Sequence, residues 1–152
     1  MNAFSISEMG KPVAGVAPID IGGGAKTSDY WNMENYSHVS IIVYSGAITN
    51  SSTIILYESD DADGSNKTAI AFHYYKITAG VTGARTLNAT TGLVTGTDDG
   101  SMYIIELDSS ELTAGYPFMT MVTDNAAANV ITIIPILSGA RYAQAVPPSA
   151  LA

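Results

Sequence analysis

Apolar and polar positions along this chain alternate in short runs and never form helical stripes. From Tyr36 onward, segments rich in Ile, Val, Thr and Tyr are separated by clusters of Gly, Asn, Asp and Ser, the pattern of strands joined by turns. The predicted strands are "HVSIIVYS" (38–45), "TIILYES" (53–59), "AIAFHYYKIT" (69–78), "SMYIIEL" (101–107), "YPFMTMVT" (116–123) and "NVITIIPIL" (129–137). The Gly- and Thr-rich stretch 79–100 predicts at most one or two further short strands and otherwise loop. The fold class is therefore all-β: an antiparallel β-sandwich, jelly-roll-like, with roughly seven or eight strands in two packed sheets.

The first thirty residues follow a different rule. "GKPVAGVAPIDIGGGAKTSDY" mixes Pro, Gly and Ala with isolated apolar residues and has no sustained period, so residues 1–30 are expected to form an extended N-terminal arm. The sandwich domain then occupies 31–142, and 143–152 form a short C-terminal tail.

Alternation assigns the faces only in part. Val39, Ile41 and Val43 share one face of their strand, yet Ile42 and Tyr44 on the other are also apolar. Ile104 stands opposite Tyr103, Ile105 and Leu107, and Phe118 and Val122 stand opposite Met119 and Met121. A strand with one wet face does not look like this. Either the arm folds over the outer face or another subunit covers it, unless these are central strands with half-exposed tyrosines. Pro135 lacks a ladder donor, which predicts an edge or a bulge in the last strand.

Composition narrows the function classes. Hydrophobic residues make up 47% of the 152-residue chain and charged residues 13%, so one globular domain is expected. The formal charge of −8 and six scattered basic residues (Lys11, Lys26, Lys67, Lys76, Arg85, Arg141) argue against direct nucleic-acid binding. No cysteine is present, which removes disulfides and thiolate chemistry. The start of the chain lacks the basic, apolar pattern of a signal peptide, and no apolar stretch has membrane-spanning length. Synthesis in the cytoplasm without a membrane partner is the expectation.

Four candidate chemistries fail on the sequence. "YESDDADGSNKTAI" (57–70) crowds Glu58, Asp60, Asp61 and Asp63 before Gly64, but an EF-hand alignment on Gly64 leaves Ser59 and Ile70 at the first and last ligand positions. A hairpin tip is the better reading. "IGGGAKTSDY" has the wrong spacer for a phosphate loop. Only His38 and His73 could serve as a catalytic base, both within predicted strands, and no G-x-S-x-G elbow exists. Glu106 with Asp108 or Glu111 lacks an aromatic sugar platform nearby. An enzyme would need a pocket joining His38 or His73 to carboxylates. The expectation is a non-enzyme with no cofactor and no metal.

Three stretches carry a resemblance: "VAPIDIGGGAKTSDYWNMENYSHVSIIVYSGA" (16–47), "TIILYESDDADGSNKTAIAFHYYKI" (53–77) and "GYPFMTMVT…ILSGARYAQAVPPSA" (115–150). Together they resemble small structural proteins of tailed bacteriophages, in particular the all-β decoration or cement proteins on the outside of the head. What this implies is a virion protein on the capsid exterior that stabilises the shell by bridging subunits. Its partners would be the major capsid protein and further copies of itself, as a dimer or trimer. On this view the contact residues are Val13, Val16, Ile19 and Ile21 of the arm, Trp31 and Tyr36 at its junction, and Arg141 and Tyr142 after the last strand. Core anchoring is the competing account of Trp31. The acidic loops at 58–63 and 98–99 would face solvent. A tail or head-to-tail junction protein is the alternative within structural proteins, and a carbohydrate- or receptor-binding virion module the alternative from a different class.

Overall fold

A computed structural model describes residues 6–140; residues 1–5 and 141–152 fall outside that range, and with them Arg141, Tyr142 and the tail. The chain forms the expected antiparallel β-sandwich. Its larger sheet has the order β1 (Gly10–Pro12), β13 (Asn129–Ala140), β4 (Tyr36–Ile48), β11 (Met102–Asp108), β7 (Phe72–Thr78) and β8 (Val81–Thr82). Alongside, β2 (Val16–Asp20) also pairs with β13, and β9 (Thr86–Asn88) with β7. The smaller sheet runs β10 (Leu93–Val94), β5 (Thr53–Ser59), β12 (Phe118–Thr123) and β3 (Trp31–Asn32), with β6 (Thr68–Ala69) on β5.

Period-two alternation builds the core between the sheets. Val39, Ile41, Val43, Tyr103, Ile105, Leu107, Ile131, Ile133 and Leu137 point inward from the larger sheet. Trp31, Ile54, Leu56, Met119 and Met121 meet them from the smaller. Each such side chain contributes roughly 1.5–3 kcal/mol through burial. The run expected as one strand over 69–78 divides in two. Residues at its start pair with β5, then the chain crosses at 70–71 and continues as β7 in the other sheet.

The described part of the N-terminal segment is built into the sandwich. β1 and β2 pair with β13. A 3-10 turn at Ile21–Gly23 follows, with the Asp20 side chain accepting from Gly22 N. Residues 26–28 then run beside β12 of the other sheet: Ser28 N donates to Met121 O, Met121 N donates to Ser28 Oγ, and Lys26 and Thr123 bond reciprocally. The segment thus laces together one side of both sheets. Among the described residues, the strands of this segment do not lie over the outer face of the larger sheet, and the single helical turn α1 (Ile6–Met9), which the apolar pattern did not predict, reaches that face.

Pro135 is not on an edge strand, because β13 has partners on both sides. Its carbonyl accepts from Val13 N on the β1–β2 side, so its missing N–H faces the same way. There the ladder is interrupted between Pro12 and Val16, and Gly15 passes against Ile133 and Pro135 so closely that a Cβ would stand 1.9 Å from Ile133 O. The proline is accommodated by a gap in its neighbour.

Candidate interaction face

The even-numbered side chains of residues 38–44 in β4, of β11 and of residues 132–138 in β13 point away from the core, and the strand register aligns them into rows across four strands. One row is Ile134, Ile42, Ile104 and Tyr75; the next is Thr132, Tyr44, Met102 and Ile77. On the other side lie Ile136, Ser40, Glu106 and His73, then Ser138, His38 and Asp108. Ile134 and Tyr44 are each 41% exposed. This is an apolar field with a polar margin at one end. Ile6 and Met9 of α1 stand over its β13 side and form a cleft with Ile42, Ile104 and Ile136.

The polar margin is a connected cluster. His38 Nδ1 lies 2.8 Å from Asp108 Oδ1, and His38 Nε2 lies 2.5 Å from Glu106 Oε2. Ser40 Oγ donates to Glu106 Oε2 at 2.7 Å and stands 3.4 Å from His38 Nε2. Partial burial pulls the imidazole pKa down, but the hydrogen bonds to Asp108 and Glu106 and their charges outweigh it, so the pKa is raised above the ordinary 6.5. Strand alternation explains the assembly. His38 and Ser40 share a face of β4, Glu106 and Asp108 share a face of β11, and the register sets His38 opposite Asp108.

Asp108, His38 and Ser40 stand in the order of a hydrolase relay, and beside the cleft. Glu106 interrupts that order. It accepts the Ser40 hydroxyl's hydrogen bond and lies against the nitrogen that would serve as base, and when the ring is protonated both its N–H groups face carboxylates and no lone pair is left to accept a proton. What the arrangement can do is staple β4 to β11 and place negative charge at one end of an apolar field.

No family model matches the chain, and no curated protein matches it. Among solved structures it is similar to the SPBc2 prophage-derived protein YomS, with a TM-score of 0.47 and 13% identity over 84% of this chain and 91% of that one. A likeness at that level carries nothing about function.

Of the residues expected to touch partners, Arg141 and Tyr142 lie outside the described residues, and the others fall away from this face. Val16, Ile21, Trp31 and Tyr36 are buried in the chain's own core, so core anchoring is the role of Trp31, and these four offer no surface. Val13 packs partly buried against that core, and Ile19 on β2 is 42% exposed. The acidic stretch also needs correction, because Glu58 does not face solvent. It is buried at the end of β5, where its carboxylate accepts from Thr113 N at 2.8 Å and Thr113 Oγ1 at 2.5 Å, fixing the 109–117 loop. Asp60, Asp61 and Asp63 do form a loop tip, and they accept from its own Asn66, Gly64 and Ser65. Gly64 there has φ 70°, with the Tyr30 hydroxyl where a Cβ would stand.

Proposed function

We propose that this chain is a structural protein of a phage particle that decorates the outside of the head and stabilises the shell by bridging its subunits. The observation that carries the reading is the outer face of β13, β4, β11 and β7. A row of Ile134, Ile42, Ile104 and Tyr75 across four paired strands supports a surface covered by protein, since exposed apolar fields mark partner sites. The resemblance of 16–47, 53–77 and 115–150 to head decoration proteins supplies the setting. Many symmetry-related copies turn a modest contact into firm attachment, which suits a protein whose contact is apolar and shallow. His38, Glu106 and Asp108 act in this reading as a polar margin that orients the contact.

Quantitative mass spectrometry of purified particles tests it. The expected result is a copy number near that of the major capsid protein or a simple symmetry fraction of it. A few copies per particle would move the protein to the tail or neck. Absence from the particle overturns the reading.

A further inference from the structure

We propose that the occupant of the outer face is a second copy of this chain, joined through a two-fold axis that runs across the strands along the row Ile134, Ile42, Ile104 and Tyr75. The inference rests on the reading above only for its setting: a dimer gives a decoration protein two linked attachment surfaces.

Three observations carry it. First, the described chain covers the field only in part. The described N-terminal strands run along the side of the sandwich instead, and Ile6 and Met9 of α1 form an open cleft with Ile42, Ile104 and Ile136 that leaves Ile134 and Tyr44 exposed. Second, the size suits a weak, self-limited contact. With the axis on the Ile134 row, four strands about 4.8 Å apart and three facing rows about 6.8 Å apart span roughly 390 Å² in projection on each copy. Two such faces reach about 800 Å², the small end of interface sizes, where pairing is weak and transient.

Third, charge chooses the symmetry. An axis along the strands would stack the two His38–Glu106–Asp108 clusters on each other, and each holds two carboxylates against one imidazole. An axis across the strands sends each cluster to the opposite end of the face, with Glu106 over the row of Tyr44 and Met102 and with His38 and Asp108 one row beyond it. Glu106 of the two copies then stand about 14 Å apart along the strand, beyond the screening length of about 8 Å. Ser40 and Glu106 come to lie over Tyr44 and Met102 of the second copy, so the Tyr44 hydroxyl is supplied with an acceptor across the interface. The row on the axis meets itself, Ile on Ile and Tyr on Tyr, without a buried charge. The same symmetry lets a chain of net charge −8 self-associate, because its apolar row is the part that touches.

The test uses the purified full chain in analytical ultracentrifugation. The expected result is a dimer at about 100 μM, a concentration that populates even a micromolar interface. Ile134→Lys places a cation on the axis against its own copy and is expected to give a monomer with unchanged circular dichroism and an unchanged cooperative unfolding transition. Because the chain has no cysteine, single cysteines report the geometry cleanly. Ile104→Cys, on the axis, should cross-link to itself with a short bis-maleimide; Val81→Cys, exposed on β8 and away from the axis, should not. A monomeric wild type at that concentration overturns the proposal, as does a dimer that survives Ile134→Lys and cross-links through Val81→Cys. A monomer found in many copies on particles sinks the dimer and leaves the decoration reading. A dimer with the predicted cross-link but absent from particles does the reverse.

Discussion

The two faces of β4 carry much the same side chains and meet opposite fates. Val39, Ile41 and Val43 are fully buried against the smaller sheet. Ser40, Ile42 and Tyr44, interleaved with them, remain partly open, and Tyr44 is 41% exposed. β11 repeats the contrast, with Tyr103, Ile105 and Leu107 inside and Met102, Ile104 and Glu106 outside. What separates the faces, among the described residues, is how much cover the chain itself supplies. The inner face has the smaller sheet, and the outer face has one helical turn at its margin. Apolar content therefore reports a need for covering and not where the cover comes from.

The largest effect should come from emptying the inner face. Ile105 is fully buried on the middle strand of the larger sheet, and Ile105→Ala removes methyl groups from a packed site. We expect a loss of about 2–5 kcal/mol in urea unfolding. Its neighbour Ile104, cut to Ala, should lose far less in a dilute, monomeric sample. Equal losses from the two would erase the distinction between the faces.

This contrast also marks how far the sequence could be read. The strands, the two sheets and the doubly apolar character of β4, β11 and β12 are legible as period-two alternation, a property of each segment alone. Pairing is not local. Nothing in "HVSIIVYS" or "SMYIIELD" states that His38 will lie opposite Asp108, although the sharing of a face by Glu106 and Asp108 could have been read from their spacing. The N-terminal segment misleads for a related reason: Val16, Ile21 and Trp31 are isolated apolar residues along the chain, yet all three are buried in the one core of the sandwich. Glu58 was hidden by its acidic neighbours, whose loop-tip role masked one carboxylate on the inward phase of β5.

The second effect concerns the laced side, which belongs to neither face. Gly15 leaves no space for a Cβ, which would stand 1.9 Å from the carbonyl oxygen of Ile133. Gly15→Ala must push β1 and β2 away from β13, and we expect about 1–3 kcal/mol of destabilisation. Hydrogen exchange should show the loss first in amides of residues 10–20. A variant with unchanged exchange there would mean that the lacing contributes little to the fold.

A smaller, pH-dependent effect belongs to the outer margin. The folded-state pKa of His38 is raised, so its contribution is fully present below the ordinary value near 6.5 and is lost as the pH rises through the folded value. His38 is partly exposed, and pairs of that kind contribute about 0–1 kcal/mol. Unfolding free energies measured between about pH 5.5 and pH 9 should show wild type ahead of His38→Gln at the acid end, with the gap closing toward the alkaline end. A gap that widens with pH would reverse the sign assigned to the cluster.

The smallest effect is the one that sharpens the comparison most. Ile134→Thr keeps a β-branched side chain on β13 and changes only the chemistry of an exposed position, so in a dilute monomer the stability should stay within about 0.5 kcal/mol of wild type. Association adds a term that depends on protein concentration, because a second copy binds the folded chain and not the unfolded one. Wild-type melting temperature should therefore climb with concentration, while that of Ile134→Thr climbs less, and the two curves should converge on dilution. Parallel curves would place the cover of the outer face somewhere other than a second copy. A large loss for Ile134→Thr even at high dilution would mean that this face, like the inner one, is covered by the chain itself.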